Sequence, residues 1–157
     1  MATKRSNRAG KAVLLSLALS LALALAAPAA RAVDYRSVAT PAILFDSPSV
    51  QGKRLFIIAS GTPVELIVSL DKWYKVRDST GTISWIERKA LSEKRTVQVT
   101  AERVAVRSAP DDKAPMAFEA VRDVVLEAVE MPKIGWIKVR HRDGATGYIH
   151  VSQVWGI

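Results

Sequence analysis

The sequence predicts an all-β protein made of two copies of one small barrel behind an N-terminal export signal, and three observations carry that reading. The segment Trp73-Tyr-Lys-Val-Arg-Asp-Ser-Thr-Gly-Thr-Ile-Ser-Trp-Ile86 returns as Trp136-Ile-Lys-Val-Arg-His-Arg-Asp-Gly-Ala-Thr-Gly-Tyr-Ile149. Trp73/Trp136, Lys75/Lys138, Val76/Val139, Arg77/Arg140, Gly81/Gly144 and Ile86/Ile149 all pair at an offset of 63. A repeat decides architecture before any single element does. The apolar runs after residue 33 are short and β-branched, and none holds a 3.6-residue period. Finally, each copy has only about 60 residues, near the lower limit for a domain without covalent staples. Five short strands in that length cannot bury a face as one flat layer, so the sheet must bend into a barrel.

The elements follow in order. Lys4, Arg5, Arg8 and Lys11 precede an apolar run from Ala12 to Ala27, then Pro28 and the small-residue pattern Ala30-Arg31-Ala32. This is the form of a secretory signal peptide over residues 1–32, cleaved after Ala32. Sixteen residues reach roughly 24 Å as a helix, short of a hydrocarbon core about 30 Å thick, so cleavage is favoured over a retained anchor. The chain has no cysteine, which excludes a lipid-anchored export signal and any disulfide support.

Copy one spans residues 36–92. Ala42-Ile-Leu-Phe45, Lys53 to Ile58, Val64-Glu-Leu-Ile-Val68 and the two arms around Ser79-Thr-Gly81 read as strands. Copy two spans residues 96–157. It offers Thr96-Val-Gln-Val99, Val104-Ala-Val-Arg107, Val124 to Val129 and the two arms around Arg142-Asp-Gly144. Ala114 to Val121 has a helical composition, but its counterpart Lys53 to Ile58 is a strand, and the repeat decides for strand. The cores are expected to hold Ile43, Val64, Leu66, Val76 and Ile86, then Val104, Val106, Val139 and Ile149. The joint Ser92-Glu93-Lys94-Arg95 has no flexible linker composition, which implies a fixed orientation between the copies.

Formal charge is +8 for the whole chain. Five basic and no acidic residues lie in the leader, leaving 18 Lys and Arg against 15 Asp and Glu, a net of +3. Residues 38–95 carry +3 and residues 96–157 are neutral. Nucleic acid is therefore not an expected partner, because its footprint needs a clustered basic stripe.

Val106-Arg-Ser-Ala-Pro110, Trp136-Ile-Lys-Val-Arg140 and Asp143-Gly-x-x-Gly-Tyr-Ile149 together resemble the bacterial SH3-type (SH3b) domain. Copy one is similar through Leu44-Phe-Asp-Ser-Pro48, Trp73-Tyr-Lys-Val76 and Trp85-Ile86. The likeness covers residues 36–157, and the layout resembles exported tandem SH3 domain proteins. Two departures stand out: Ser84 where the family has the glycine that copy two keeps as Gly147, and Ala105 where asparagine is common. The resemblance implies SH3-like barrels, and a groove for extended peptides lined by the tryptophan that Trp73 and Trp136 resemble.

No catalytic, metal or cofactor site is expected. Without cysteine there is no thiol nucleophile, which sets the chain apart from the peptidases that carry such domains as targeting modules. An Asp143-Gly144 turn puts His141 opposite Thr146, so His141 and His150 are not natural co-ligands. Glu65 and Glu127 are repeat mates, one per copy rather than an acid–base pair. Asp111-Asp112 is a solvated loop, and the glycines are scattered at turns instead of forming a phosphate loop.

Aromatic residues give the better lead. Period two sets Trp73 and Lys75 on one strand face and Val76 on the other, and it sets Trp136 out with Val139 in. Trp85 and Tyr148 then point outward while Ile86 and Ile149 point inward. The candidate ligand-binding residues are thus Trp73, Lys75, Trp85, Trp136 and Tyr148, with Trp155 assigned to a barrel end or the junction. The expected function is a non-catalytic exported binding module, periplasmic or secreted, recognising peptidoglycan stem peptides or an extended peptide of an envelope protein. The alternative is a structural adaptor of the cell envelope that meets other proteins through its barrels. A membrane would be met only through an uncleaved leader.

Overall fold

Each copy of the repeat folds into seven strands, and both sets pair in the same order. The computed structural model describes residues 33–157; the leader expected over residues 1–32 lies outside the described residues. Copy one holds β1 (Tyr35–Val38), β2 (Ala42–Phe45), β3 (Arg54–Ile58), β4 (Pro63–Ser69), β5 (Trp73–Arg77), β6 (Ile83–Glu87) and, after a 3-10 turn at Arg88–Ala90, β7 (Leu91–Ser92). Copy two holds β8 (Thr96–Val99), β9 (Arg103–Arg107), β10 (Met116–Val121), β11 (Val125–Ala128), β12 (Trp136–Arg140), β13 (Thr146–His150) and, after a second 3-10 turn, β14 (Val154–Trp155). The orders β3-β2-β6-β5-β4-β1-β7 and β10-β9-β13-β12-β11-β8-β14 are one topology written twice. All pairings are antiparallel, and no α-helix forms among the described residues. The fold is therefore all-β, two SH3-like barrels in tandem, with seven short strands per copy where five were expected.

The central ladder keeps the 63-residue offset. Trp73 faces Glu87 and Lys75 faces Trp85 between β5 and β6; Trp136 faces His150 and Lys138 faces Tyr148 between β12 and β13. Five residues join each pair of strands, and a hydrogen bond between the first and the fifth leaves a three-residue loop. Gly81 and Gly144 take φ of 88° and 95°, which glycine adopts without a Cβ penalty. The Asp78 N–H donates to Thr82 O at 3.1 Å, and the His141 N–H to Ala145 O at 2.8 Å. His141 thus stands opposite Ala145, not Thr146, because the left-handed glycine follows a tight turn and adds one residue to the loop.

Two cores result. Val38, Leu44, Ile58, Val64, Val76, Ile86 and Ala90 fill the first, with Tyr74 and Leu66 packed at its margin. Ten residues fill the second, including Val104, Val106, Leu126, Ile137, Val139 and Ile149. Ile43 is not among them: Ala42 and Leu44 turn inward, and Ile43 pairs with Ile57 on the outer face. The irregularity between Leu44 and Phe45 breaks simple alternation there. Leu66 is only half-buried, beside the similar irregularity between Leu66 and Val68.

Residues 33–157 form one compact unit, and the seam between the barrels explains why. The Ser37 hydroxyl donates to Lys94 O at 2.6 Å, the Thr96 hydroxyl donates to Gly61 O at 2.6 Å, and the two hydroxyl oxygens lie 2.6 Å apart. Both side chains are buried, so satisfying them locks the joint in place. Trp155 meets Tyr35 edge-on at 5.1 Å. A Cβ on Gly156 would come within 2.9 Å of both Pro63 Cβ and Thr96 O, and its φ of 113° independently suits glycine.

Candidate functional site

The outward face of β2, β5 and β6 gathers three aromatic residues of copy one, Phe45, Trp73 and Trp85. Trp73, Lys75 and Trp85 share this face because they alternate with Tyr74, Val76 and Ile86. Trp73 meets Phe45 edge-on at 5.4 Å and 90°, a favoured aromatic geometry. Phe45 is buried although it stands outside the core cluster; the indole of Trp73 lies over it. Lys75 Nζ lies 5.8 Å from the Trp85 ring, and Glu87 faces Trp73 across the ladder. Next to this strip, Phe45 joins Ile43, Arg54, Glu87 and Lys89 around a depression of about 570 Å³. The strip therefore combines half-buried rings with charges of both signs, and Glu87 is already paired with Lys89 at 2.9 Å.

Copy two builds the same face with different chemistry. Trp136 meets the His150 ring edge-on at 5.5 Å, and Lys138 Nζ stands 5.8 Å from the Tyr148 ring. His150 Nδ1 is 2.6 Å from Ser152 Oγ. Lys138 also pairs with Glu130 at 3.0 Å, which holds its ammonium above the usual lysine range and pushes the Glu130 carboxyl down. In place of Phe45 stands Arg107, facing Tyr148.

The repeat mates Glu65 and Glu127 are far apart in use. Glu65 accepts from Arg77 at 3.0 Å across β4 and β5, whereas Glu127 pairs with Lys94 of the joint at 3.1 Å. His141 lies 3.0 Å from Asp143. The Asp143 carboxyl is held below its ordinary value first by the Ala145 N–H and then by His141. Among the described residues, no group of three or more His, Asp or Glu is placed to hold a metal.

The sequence matches the family described as Bacterial SH3 domain twice, over residues 38–93 and 100–156. The chain belongs to this bacterial SH3 family. No curated protein matches it. Among solved structures it is similar to NlpC1 from Trichomonas vaginalis, at 15% identity over 82% of this chain and 48% of that one, with a TM-score of 0.37. NlpC2 from the same organism gives 14%, 80%, 48% and 0.36. An NlpC/P60 family protein from Bacillus cereus gives 13%, 78%, 56% and 0.36. The chain spans about half the length of these proteins.

Within this SH3 pair, the structure brings together Trp73, Lys75 and Trp85 in one barrel, and Trp136 and Tyr148 in the other. Phe45, Arg54 and Glu87 were not anticipated. Phe45 was visible as the mate of Arg107, an apolar residue where the other copy is charged. Nothing local in the sequence announces that Trp73 covers it.

Proposed function

We propose that this protein is a non-catalytic binding module of the cell envelope, periplasmic or secreted, that holds an extended peptide on the outer face of its first SH3 barrel. Peptidoglycan stem peptides fit that role, because they join apolar methyl groups to free carboxylates. The observation that carries the reading is the Phe45–Trp73–Trp85 strip with Lys75 across Trp85. Rigid rings offer contact area at little entropic cost, and the ammonium offers a partner for a carboxylate. The +3 balance of residues 38–95 points the same way.

A second reading, an adaptor for envelope proteins, is favoured by one feature. Edge strand β3 exposes Leu55, Phe56 and Ile57, unpaired on its outer side. Co-sedimentation of the purified chain with isolated cell-wall sacculi separates the two. Retention on sacculi that is lost in Trp73→Ala supports the first reading. Absence of retention removes it and leaves the adaptor.

A further inference from the structure

A cleft of about 450 Å³ opens at the seam between the barrels, away from the aromatic strip. Its walls come from both copies: Gly61 from the first, Lys94 from the joint, and Glu127, Arg140, His141 and Arg142 from the second. The charge here results from a change of partner. In copy one the cross-strand mates Glu65 and Arg77 form an ion pair. In copy two their equivalents Glu127 and Arg140 face each other in register, but Glu127 pairs with Lys94 instead. Among the described residues Arg140 and Arg142 form no ion pair. Both are exposed, and both stand at the mouth of the cleft.

We propose that this inter-barrel cleft is a second binding site, one that takes the free carboxylate of a peptide. Two unpaired guanidiniums present planar forks that match a carboxylate in bidentate fashion. Glu127 makes the choice between anions. Its carboxylate repels the doubly charged hydrogen phosphate more than a singly charged peptide carboxylate, and it accepts from the amide N–H next to that carboxylate. Val124 and Val125 on the same wall give the peptide's apolar part a surface. The site exists only when both barrels are docked, so the Ser37–Thr96–Gly61 hydrogen bonds that fix the seam also fix the cleft.

The test is a titration of the chain spanning residues 33–157, followed by backbone amide NMR shifts, with acetyl-alanyl-alanine as free acid, its C-terminal amide, and inorganic phosphate. The free acid should shift Gly61, Thr96 and the His141–Arg142 amides. The amide should bind about tenfold more weakly, the size of a lost charge-assisted hydrogen bond. Arg140→Gln and Arg142→Gln should each bring the free acid down to the level of the amide, with Arg77→Gln as an unchanged control. Equal binding of acid and amide overturns the proposal, as does stronger binding of phosphate. Shifts confined to the Trp73 face would also overturn it, while leaving the aromatic strip of the proposed function standing. Conversely, failure of Trp73→Ala to affect sacculus retention would leave the cleft untouched.

Discussion

Copy one lays Trp73 over Phe45, whereas copy two stands Trp136 against His150 and puts Arg107 where Phe45 was. The strand order and the central register are the same in both. Inward residues therefore fix where the outer face lies, and the outward residues are free to set its chemistry. The central clusters differ as well: the first barrel holds seven residues in its cluster and buries Tyr35 and Phe45 outside it, whereas the second gathers ten in one cluster. The first barrel also leaves apolar side chains exposed, at Leu55, Phe56, Ile57, Ile67, Val68 and Leu70. The face proposed for binding thus belongs to the copy that buries an aromatic residue outside its central cluster, while the other copy carries the more polar face.

The sharpest test of that comparison exchanges the residue the two copies treat most differently. A Cβ on Gly147 would lie 2.6 Å from Arg107 O and 2.7 Å from Val106 Cγ1, so β9 and β13 approach too closely for any side chain. Copy one buries Ser84 at the equivalent position. Gly147→Ser should cost roughly 3 kcal/mol, as overpacking against backbone does, whereas Ser84→Gly should cost about 1 kcal/mol or less. Urea denaturation of the two variants measures both. Equal costs would mean that the strand spacing in the two barrels is the same after all.

Next in size is the difference between the tryptophans. Trp73→Ala should weaken sacculus binding by about 1 to 2 kcal/mol, and Trp136→Ala by less. Because Trp73 also shields Phe45, its loss should lower stability by about 1 kcal/mol. A large fall in melting temperature with binding unchanged would make Trp73 a purely structural cover.

The turns that precede these tryptophans differ too. In copy two Ile134 and Gly135 have φ of 50° and 79°, and Lys133 and Trp136 exchange both backbone hydrogen bonds around them. Such a two-residue turn needs positive φ twice, and a β-branched residue pays for it in strain. The Ile134 side chain is 99% exposed and makes nothing in return. Ile134→Asn should therefore raise stability by about 1 kcal/mol, read as a higher melting temperature. Copy one avoids the strain with Asp71-Lys72, where φ stays negative, and Asp71→Asn should change little.

The smallest effect lies in the loop with Gly144. Folding lowers the pKa of Asp143, so its contribution is complete above the ordinary value of 3.8 and drains away as pH falls through the lowered one. Asp143→Asn should be slightly less stable than the parent at neutral pH, and the gap should close in acid. A gap that stays constant across the acid range would assign it to something other than the ionised carboxylate.

Most of the architecture was legible because the information was local and stated twice. Alternation around Val76 and Val139 placed Trp73 and Trp136 outside, and the repeat assigned Met116–Val121 to a strand. What escaped depended on single-residue insertions or on distant partners. Ile43 lies outside because β2 alternates with Ala42 and Leu44 inward, a phase its partner strand sets, and the left-handed Gly144 moved His141 by one place. The pairing of Lys94 with Glu127 spans the joint, so neither strand alone reveals that Arg140 is left unpaired.

The clasp of Tyr35 by Trp155 has a mechanical consequence. The first strand and the last residues of the pair meet at one seam, so tension applied through Val33 and Ile157 loads that seam before either barrel. An edge-on ring contact and a few hydrogen bonds would yield ahead of the strand ladders behind them. Under load, the two barrels would part first and unfold later, lengthening a protein held between two anchor points while both cores stay intact.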